Sequence, residues 1–501
     1  MKKWVYIAMG TSAMAFFFVY LVSHHVFEHI PHLEDEIAYQ WQARVFAQGE
    51  VYVPSPANAE ANYIPFVIDD SGRRFSKYPP GWSIFLSLGI MLGVENWIPA
   101  LLAGLNTWLT FRVSQKILGD RGAILTAFLL CTSPFFLFIS GSILSHAWSL
   151  FLALSFTLAW LDLFTSTNIQ PFQRPDTIKA VTAGLSMGVL FLSRPYTALG
   201  ISLPFLIHTL ILIRSSAKKS DKTGYFYKTL LIIGIFAILT GSLLFLWQYA
   251  VTGNPFQNLY ELWWDFDKVG FGPGYGRGEG GHTLVKAFRN MTAGLRILNI
   301  DLFGWRMLSL AFLPLGIWSI RKNAPALLAC SIPFSLIVLH MAYWFIPISF
   351  FGPRYYFEGI FGLCILTSAG VFWTASLFPH VKISRWLTWA ALSGLVLYNL
   401  FVYIPLRIKG MTNLYDISQA DLQPFLQPSA DITTPALIIV NAQKNTDYFG
   451  LLTLEDPWLT TPFIFAYNKP GIEIDPAAYT GRAVYSYNPE TQEFIKVPSE
   501  E

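Results

Sequence analysis

Apolar runs of about 20 residues recur along this 501-residue chain from Trp4 to Ile404. A helix of that length crosses the roughly 30 Å hydrocarbon core of a bilayer and satisfies its own backbone polar groups there. The composition agrees, because 53% of the residues are hydrophobic and only 13% are charged, whereas soluble domains carry about a quarter charged residues. The chain is therefore predicted to be an all-α polytopic membrane protein.

The first apolar run follows Lys2 and Lys3 and ends at His24 without a small-residue cleavage site. We interpret it as a retained first helix with a cytoplasmic N-terminus and not as a signal peptide. Further apolar runs are predicted at 82–95, 97–117, 121–140, 144–163, 178–193, 197–214, 228–250, 303–321, 325–346, 357–378 and 384–404.

Basic residues in short loops indicate which loops are cytoplasmic. They cluster at 112–121, at 214–228 (with Lys218, Lys219 and Lys222) and at 321–322, and more weakly at 382–385. With these clusters inside, residues 82–117 cross the membrane once, so the short run from Trp82 to Val94 is predicted to be interfacial or re-entrant. The prediction is a multi-pass protein of the plasma or inner membrane with about eleven to twelve transmembrane helices.

The same orientation predicts two domains. Residues 1–408 form the transmembrane domain, with extracytoplasmic loops at 24–81 and 251–301. Residues 409–501 form an extracytoplasmic tail, whose strand-like runs 436–440 and 483–487 predict a small α/β domain.

Charge and cysteine content argue against a nucleic-acid partner and against a disulfide or zinc framework. The net charge of +3 is small and the basic residues form no stripe, so no nucleic-acid partner is expected. Cys131, Cys330 and Cys364 all lie in apolar runs and predict neither disulfides nor a zinc framework.

Three adjacent carboxylates, Glu34 to Glu36, open a segment of the first loop in which Ile37 and Trp41 recur at helical spacing. Acidic residues in a first helical turn are stabilised by the helix dipole, so a capping role explains them as well as a chemical role does. The residues alone leave both interpretations open.

Several motifs follow one another in a characteristic order. They are Asp35-Glu36 with Tyr39, Ser76-Lys77-Tyr78-Pro79-Pro80-Gly81-Trp82, Ser145-His146, Ser193-Arg194-Pro195, Gly281-His282-Thr283 and Phe351-Gly352-Pro353-Arg354-Tyr355-Tyr356. In this order they resemble the GT-C superfamily glycosyltransferases of the protein O-mannosyltransferase and aminoarabinose transferase type, which are glycosyltransferase family 39-like. The resemblance covers most of residues 30–360 and does not extend to the tail.

The resemblance implies an inverting glycosyltransferase of the cell envelope that moves a sugar from a polyprenyl-phosphate donor to an acceptor hydroxyl. Asp35 would be the general base, and base catalysis contributes roughly 10²- to 10⁴-fold. Glu36 would be a second catalytic carboxylate that orients the acceptor or a metal. The acceptor (lipid, glycan or protein) and the sugar are left open.

Arg194 and Arg354 fit the donor phosphate, because a guanidinium pairs with phosphate oxygens and a charge at a membrane helix end is costly unless it is used. A snorkelling interfacial arginine is the alternative for each. Lys77 is a weaker third phosphate-binding candidate.

The remaining candidates are substrate-binding residues: Tyr39, Tyr78, His146, Tyr355, Tyr356 and His282. His146 stands where the family usually has an acidic residue, so we interpret it as a hydrogen-bonding replacement. His282 lies beside a glycine-rich stretch that could form a lid. His282 and Glu36 are weak metal candidates, so no cofactor is certain and a divalent ion stays open.

A transporter or flippase for a lipid-linked substrate is the alternative function. It predicts paired halves and charges near the bilayer midplane, and neither is evident in the sequence.

Overall fold

The computed structural model describes residues 2–165, 174–216, 220–377 and 382–498. Lys218 and Lys219 of the second basic cluster lie outside these ranges. The chain is mostly helical. Its helices are α1 Lys2–His25, α2 Glu34–Ala47, α3 Gly81–Leu92, α4 Ile98–Cys131, α5 Pro134–Gly141, α6 His146–Phe164, α7 Arg174–Ser193, α8 Pro195–Ser216, α9 Ser220–Gly241, α10 Leu243–Thr252, α11 Leu259–Trp263, α12 Leu284–Asp301, α13 Leu313–Ile320, α14 Ala324–Cys330, α15 Ile332–His340, α16 Ile360–Ser376, α17 Lys382–Tyr398, α18 Ile404–Met411, α19 Gln423–Leu426 and α20 Asn445–Phe449.

Within the described ranges, 6 helical stretches are long and apolar enough to cross a membrane, and a bent pair raises this number to 7. The bent pair joins Glu95–Cys131 to Pro134–Gly141 at 58°. The six stretches are Lys2–His25, His146–Phe164, Pro195–Arg214, Gly224–Thr252, Arg354–Ser376 and Arg385–Leu426. The count of eleven to twelve spans stays a prediction, as does the orientation of the chain.

Helix α4 breaks at Gly119, whose φ of 69° and ψ of −178° are not helical. Glycine tolerates a positive φ because it has no Cβ. The break falls inside the basic cluster 112–121, where the sequence predicts a short loop between two apolar runs. Lys116 in this region forms an ion pair with Asp162 of α6.

The short helix α3 has 12 residues and ends at Gly93 in the left-handed conformation, so the run from Trp82 is short, as its sequence predicts. Gly81 brings its start against the end of α7. A Cβ at Gly81 would lie 2.4 Å from the Ser193 hydroxyl and 3.0 Å from the Ser193 backbone nitrogen. Gly81 therefore permits the start of α3 to approach the end of α7 closely, next to Arg194.

The first loop folds as α2 and a three-stranded antiparallel sheet of order β1-β3-β2. The strands are β1 Val53–Pro54, β2 Val67–Asp70 and β3 Arg73–Ser76. The Gln42 amide joins helix to sheet: its oxygen accepts from the Ser76 backbone N–H at 2.9 Å, and its nitrogen donates to the Val51 carbonyl at 3.0 Å. Lys77 and Tyr78, which follow β3, are thereby held beside α2.

The second predicted loop, 251–301, is not a loop throughout. Residues Leu284–Asp301 form α12, an amphipathic helix of 18 residues that begins after the cap residue Thr283. Ala287, Gly294 and Leu298 form its buried face, whereas Arg289 and Arg296 are exposed. The exposed charges lower the hydropathy of the segment, which is why the sequence indicated a loop.

The C-terminal residues contain a four-stranded sheet of order β5-β4-β6-β7. Its strands are β4 Ala436–Val440, β5 Phe463–Tyr467, β6 Ala483–Asn488 and β7 Glu493–Lys496. Strand β4 pairs in parallel with β5 and β6, so both strand-like runs of the tail are confirmed as strands. The domain boundary at 408 stays a prediction.

The C-terminal residues pack on the first loop. Arg44 of α2 donates to the carbonyls of Glu455 and Thr453 at 2.7 and 2.8 Å. On the edge strand β5, the Tyr467 backbone N–H donates to the Ala61 carbonyl at 2.7 Å. These contacts hold the C-terminal residues against the last turn of α2 and against the loop around Ala61.

Candidate active site

A cavity of about 750 Å³ lies where the first loop, the second loop, the helix ends and the C-terminal residues meet. Most of the candidate site residues line it: Asp35, Tyr39, Lys77, Tyr78, His146, Arg194, Arg354 and Tyr355. These residues come from distant parts of the sequence. The structure therefore brings together the acidic and basic candidates of the sequence analysis.

Asp35 lies between Arg354 and Tyr78 and contacts both side chains. The Arg354 Nη2 donates to Asp35 Oδ2 at 2.9 Å, and the Tyr78 hydroxyl donates to Asp35 Oδ1. Burial alone would raise the pKa of Asp35, but Arg354, the Tyr78 hydroxyl and Lys77 together hold this pKa below its usual value. Asp35 is therefore an ionised carboxylate that faces the cavity.

Arg194 forms a second pair, with a carboxylate that sequence analysis missed. Its Nε lies 3.2 Å from Glu358 Oε1, and the Glu358 side chain is 0% exposed. Its Nη1 donates to the Ser145 hydroxyl at 3.2 Å. The signal in the sequence is an acidic residue one helical turn after Arg354, at the start of an apolar run, where an unpaired charge is costly.

Lys77 lies among aromatic rings. Its Nζ is 3.7 Å from the ring centroid of Phe66, 4.7 Å from Trp264 and 5.1 Å from Tyr260. The Asp267 carboxylate lies 3.7 Å from the ammonium. Burial lowers the pKa of Lys77 to about 8, although Asp267, Asp35 and Glu34 oppose this change.

The neutral candidates connect these groups. The rings of Tyr39 and Tyr78 lie 4.5 Å apart, and the Tyr39 hydroxyl is 3.2 Å from Ser145 Oγ. His146 Nδ1 lies 3.5 Å from Arg194 Nη1, and His146 Nε2 has no hydrogen-bond partner among the described residues. Tyr355 stacks on His340, with the ring centroids 5.2 Å apart.

No family model matches the sequence, and no curated protein matches it. Among solved structures, ArnT of Cupriavidus metallidurans bound to undecaprenyl phosphate superposes with a TM-score of 0.59 at 16% identity, covering 98% of this chain and 94% of that chain. The oligosaccharyltransferase AglB of Archaeoglobus fulgidus, in complex with an inhibitory peptide and a dolichol-phosphate, gives a TM-score of 0.53 at 12% identity, covering 91% of this chain and 64% of that chain. Both are GT-C superfamily glycosyltransferases.

This chain has the GT-C fold. The fold expected from the motif resemblance is thereby confirmed. Identities this low establish the architecture and leave the chemistry to the residues of the cavity.

Three candidates of the sequence analysis do not line the cavity of this GT-C fold: Glu36, Tyr356 and His282. Glu36 turns away from Asp35 because successive helical residues point about 100° apart. Its Oε2 accepts from the backbone N–H groups of His32 and Leu33, each at 3.0 Å. Its Oε1 accepts from the Ile143 backbone N–H at 2.8 Å. Burial raises the pKa of Glu36 to about 7. Backbone amides engage both of its carboxylate oxygens, and its catalytic role stays a prediction.

His282 and Tyr356 are likewise engaged elsewhere. His282 Nε2 donates to the Met341 carbonyl at 2.9 Å, and its ring stacks on Phe271 at 5.1 Å. Tyr356 is buried and packs against α12 at Gly294. Both side chains pack away from the cavity, and their substrate-binding roles stay predictions.

The residues do not fit the divalent ion that the resemblance left open. Within the described ranges, no group of three or more His, Cys, Asp or Glu side chains is arranged to hold a metal. Both oxygens of Glu36 are occupied by backbone amides, and His282 donates to a carbonyl.

Proposed function

We propose that this protein is an inverting glycosyltransferase that moves a sugar from a polyprenyl-phosphate donor to an acceptor hydroxyl at the extracytoplasmic face of its membrane. One observation carries the proposal. An ionised carboxylate, Asp35, shares a cavity with the cations Lys77, Arg194 and Arg354 in a chain with the GT-C fold. A base for the acceptor and cations for a leaving phosphate are the two requirements of the reaction.

In the proposed reaction, the acceptor hydroxyl donates its proton to a carboxylate oxygen of Asp35. The acceptor oxygen forms a bond to the anomeric carbon as the bond from that carbon to the phosphate oxygen breaks. The electron pair of the broken bond leaves with the phosphate, whose added negative charge is stabilised by the nearby cations. Attack opposite the leaving group inverts the anomeric configuration.

Arg354 has a double role in this scheme. Its guanidinium pairs with Asp35, and a guanidinium has donors enough for a second oxygen anion. The Nε of Arg354 is buried without a hydrogen-bond partner among the described residues, so a donor phosphate would supply one. Binding of the phosphate would then draw Arg354 partly away from Asp35 and strengthen Asp35 as a base.

The lining of the cavity also supports a lipid donor. Leu199, Leu244 and Trp247 line it from α8 and α10, which belong to two of the membrane-spanning stretches. Apolar surface on membrane helices suits a polyprenyl chain whose phosphate reaches the arginines. The similar ArnT structure was solved with undecaprenyl phosphate bound, which agrees with this class of donor.

The test uses the purified full-length protein in lipid nanodiscs. One radiolabelled sugar is offered on polyprenyl phosphate or on a nucleotide, together with a mixture of glycan, glycolipid and peptide acceptors. We expect labelled acceptor, with inverted anomeric configuration, from the lipid donor only. Transfer from the nucleotide sugar without a lipid intermediate would overturn the proposal.

A second arm addresses the alternative of a transporter. The protein is placed in sealed vesicles with the labelled lipid donor in one leaflet, and movement to the other leaflet is measured without acceptor. Movement of the donor with no transfer product in the first arm would replace the glycosyltransferase by a flippase.

A further inference from the structure

The C-terminal residues contribute directly to the cavity. Tyr415, Asn445, Thr446 and Phe449 are all part of its lining. The same cavity reaches Leu244 and Trp247 on a membrane-spanning stretch. A single space therefore connects helices that are long and apolar enough to cross a membrane with a C-terminal segment that carries its own sheet.

Glu34 lies in this cavity without a partner of its own. The half-buried carboxylate forms no hydrogen bond or ion pair with another residue in the described part of the chain, although Lys77, Arg277 and Lys469 act on it electrostatically. Burial and the neighbouring Asp35 raise its pKa. Buried polar groups are normally hydrogen-bonded, so Glu34 has unused capacity to accept hydrogen bonds from a ligand.

Tyr415 lines the same cavity from a segment with an unusual backbone. Asn413, Tyr415 and Asp416 have φ values of 53°, 60° and 60°, in the left-handed region that costs energy for residues other than glycine. The Tyr415 ring packs edge-on against Phe350 at 5.0 Å, and its hydroxyl is within electrostatic range of Arg354, Glu34 and Asp35. The strained turn thus presents a tyrosine to the cavity, within electrostatic range of the proposed base.

Asn445 and Thr446 offer neutral polar groups on the same side. The Tyr467 hydroxyl donates to Asn445 Oδ1 at 2.6 Å, which orients the amide so that its Nδ2 hydrogens are left to donate. Thr446 adds a hydroxyl at the cavity wall. Phe449 supplies an aromatic ring, which packs near Tyr63 at 6.3 Å.

We propose that Glu34, Tyr415, Asn445 and Thr446 form an acceptor subsite that binds a carbohydrate and directs one of its hydroxyl groups toward Asp35. This inference rests on the proposed glycosyltransferase function. A carboxylate, an amide, two hydroxyl groups and an aromatic ring match the many hydroxyl groups and the apolar faces of a sugar. The lipid donor occupies the helix side of the cavity, so the acceptor reaches Asp35 from the side of the C-terminal residues.

A peptide acceptor fits these observations less well. Proteins commonly bind extended peptides through main-chain hydrogen bonds to a free strand edge. In the described part of the chain, no residue of a β-strand lines the cavity. The nearby edge strand β5 already pairs with Ala61 through the Tyr467 amide. Among the described residues the cavity therefore offers side chains, which recognise hydroxyl groups, and no strand edge for a peptide.

The experiment measures transfer from a labelled polyprenyl-phosphate sugar by the full-length protein in nanodiscs. Three acceptors are compared: a soluble oligosaccharide, a glycolipid with the same glycan and a serine- and threonine-rich peptide. We expect the glycan acceptors to work, and E34Q and the double variant N445A/T446V each to raise the acceptor KM by about tenfold or more through lost hydrogen bonds. The donor Kd is expected to change far less than the acceptor KM.

Matched controls come from exposed residues of the same segment. Glu490 accepts from Gln443 Nε2 at 3.2 Å, and the Thr491 hydroxyl donates to Glu493 at 3.2 Å; neither lines the cavity. E490Q and T491V should leave both constants unchanged. An acceptor KM that is unchanged in E34Q and N445A/T446V, or transfer to the peptide alone, would overturn the subsite. Absence of donor binding and of transfer in the wild-type protein would instead overturn the proposed function.

Discussion

Two arginine–carboxylate pairs flank the cavity, and they differ in where the carboxylate lies. In the pair of Arg354 with Asp35, the side chains are 12% and 19% exposed. In the pair of Arg194 with Glu358, the arginine is 13% exposed and the glutamate is completely buried. Asp35 is accessible to a substrate, whereas Glu358 can act only on its arginine.

The difference shows how one chemical pairing serves two purposes. Removing one partner of a buried pair leaves an uncompensated charge, which is strongly destabilising. Removing one partner of a pair at a cavity wall costs less stability, because water or ligand can replace the missing partner. We therefore infer that the Arg354–Asp35 pair carries the reaction and that the Arg194–Glu358 pair fixes a cation in position.

The largest effect is expected for Asp35→Asn. The substitution removes the proposed base while it keeps the shape of the side chain, so transfer should fall by about 10²- to 10⁴-fold. Initial rates with saturating lipid donor and acceptor measure the loss, and a thermal unfolding curve measures stability. The exposed Asp431→Asn is the control that should retain full activity. Near wild-type turnover in the Asp35 variant would remove Asp35 from the mechanism.

The next effect is expected for Arg354→Lys. A lysine keeps the charge but cannot hold Asp35 and a phosphate oxygen together, so kcat/KM for the donor should fall by roughly 10- to 100-fold. The Arg194→Lys substitution should lower kcat/KM for the donor by a smaller factor, since Glu358 continues to hold the cation. Donor titrations of the two variants measure this order. An equal fall in kcat/KM for both variants would contradict the assignment of different roles to the two pairs.

Glu358→Ala should affect stability more than chemistry. The alanine leaves the Arg194 charge without its buried partner, which should cost about 3 kcal/mol of unfolding free energy. Transfer per folded molecule should fall less than in Asp35→Asn. Chemical unfolding in detergent gives the stability, and activity is normalised to the folded fraction. A variant as stable as the wild type but inactive would indicate that Glu358 takes part in the reaction.

The smallest effect is a pH dependence from Lys77. Because burial lowers the pKa of Lys77 to about 8, the ammonium is charged below this pH and loses its charge as the pH rises through it. Donor affinity should therefore weaken by about tenfold between pH 7 and pH 9, in proportion to the protonated fraction. Lys77→Arg should abolish this dependence, because arginine stays protonated. Equilibrium binding of labelled donor across the pH range measures both proteins, and the same decline in Lys77→Arg would assign it to another group.

Much of the candidate site could be predicted because its residues lie in short motifs. Asp35, Lys77, Arg194 and Arg354 each stand in a local pattern that the sequence displays, and all four line one cavity. Glu36 stands next to Asp35 and fits the same pattern, yet its carboxylate is engaged by backbone amides. Sequence proximity could not separate the two, because the direction of a side chain depends on the helix face it occupies.

Local composition and spacing were enough to predict the apolar runs, the break near Gly119, the strand-like runs 436–440 and 483–487 and the residues of the motifs. The pairings of the charged side chains, by contrast, follow from tertiary packing. Asp35 and Arg354 are 319 positions apart, and neither Glu358 nor Asp267 carries a motif of its own. The contribution of Tyr415, Asn445 and Thr446 to the cavity arises because the tail packs on the first loop. Such contacts depend on how distant elements are packed together, and no local pattern records them.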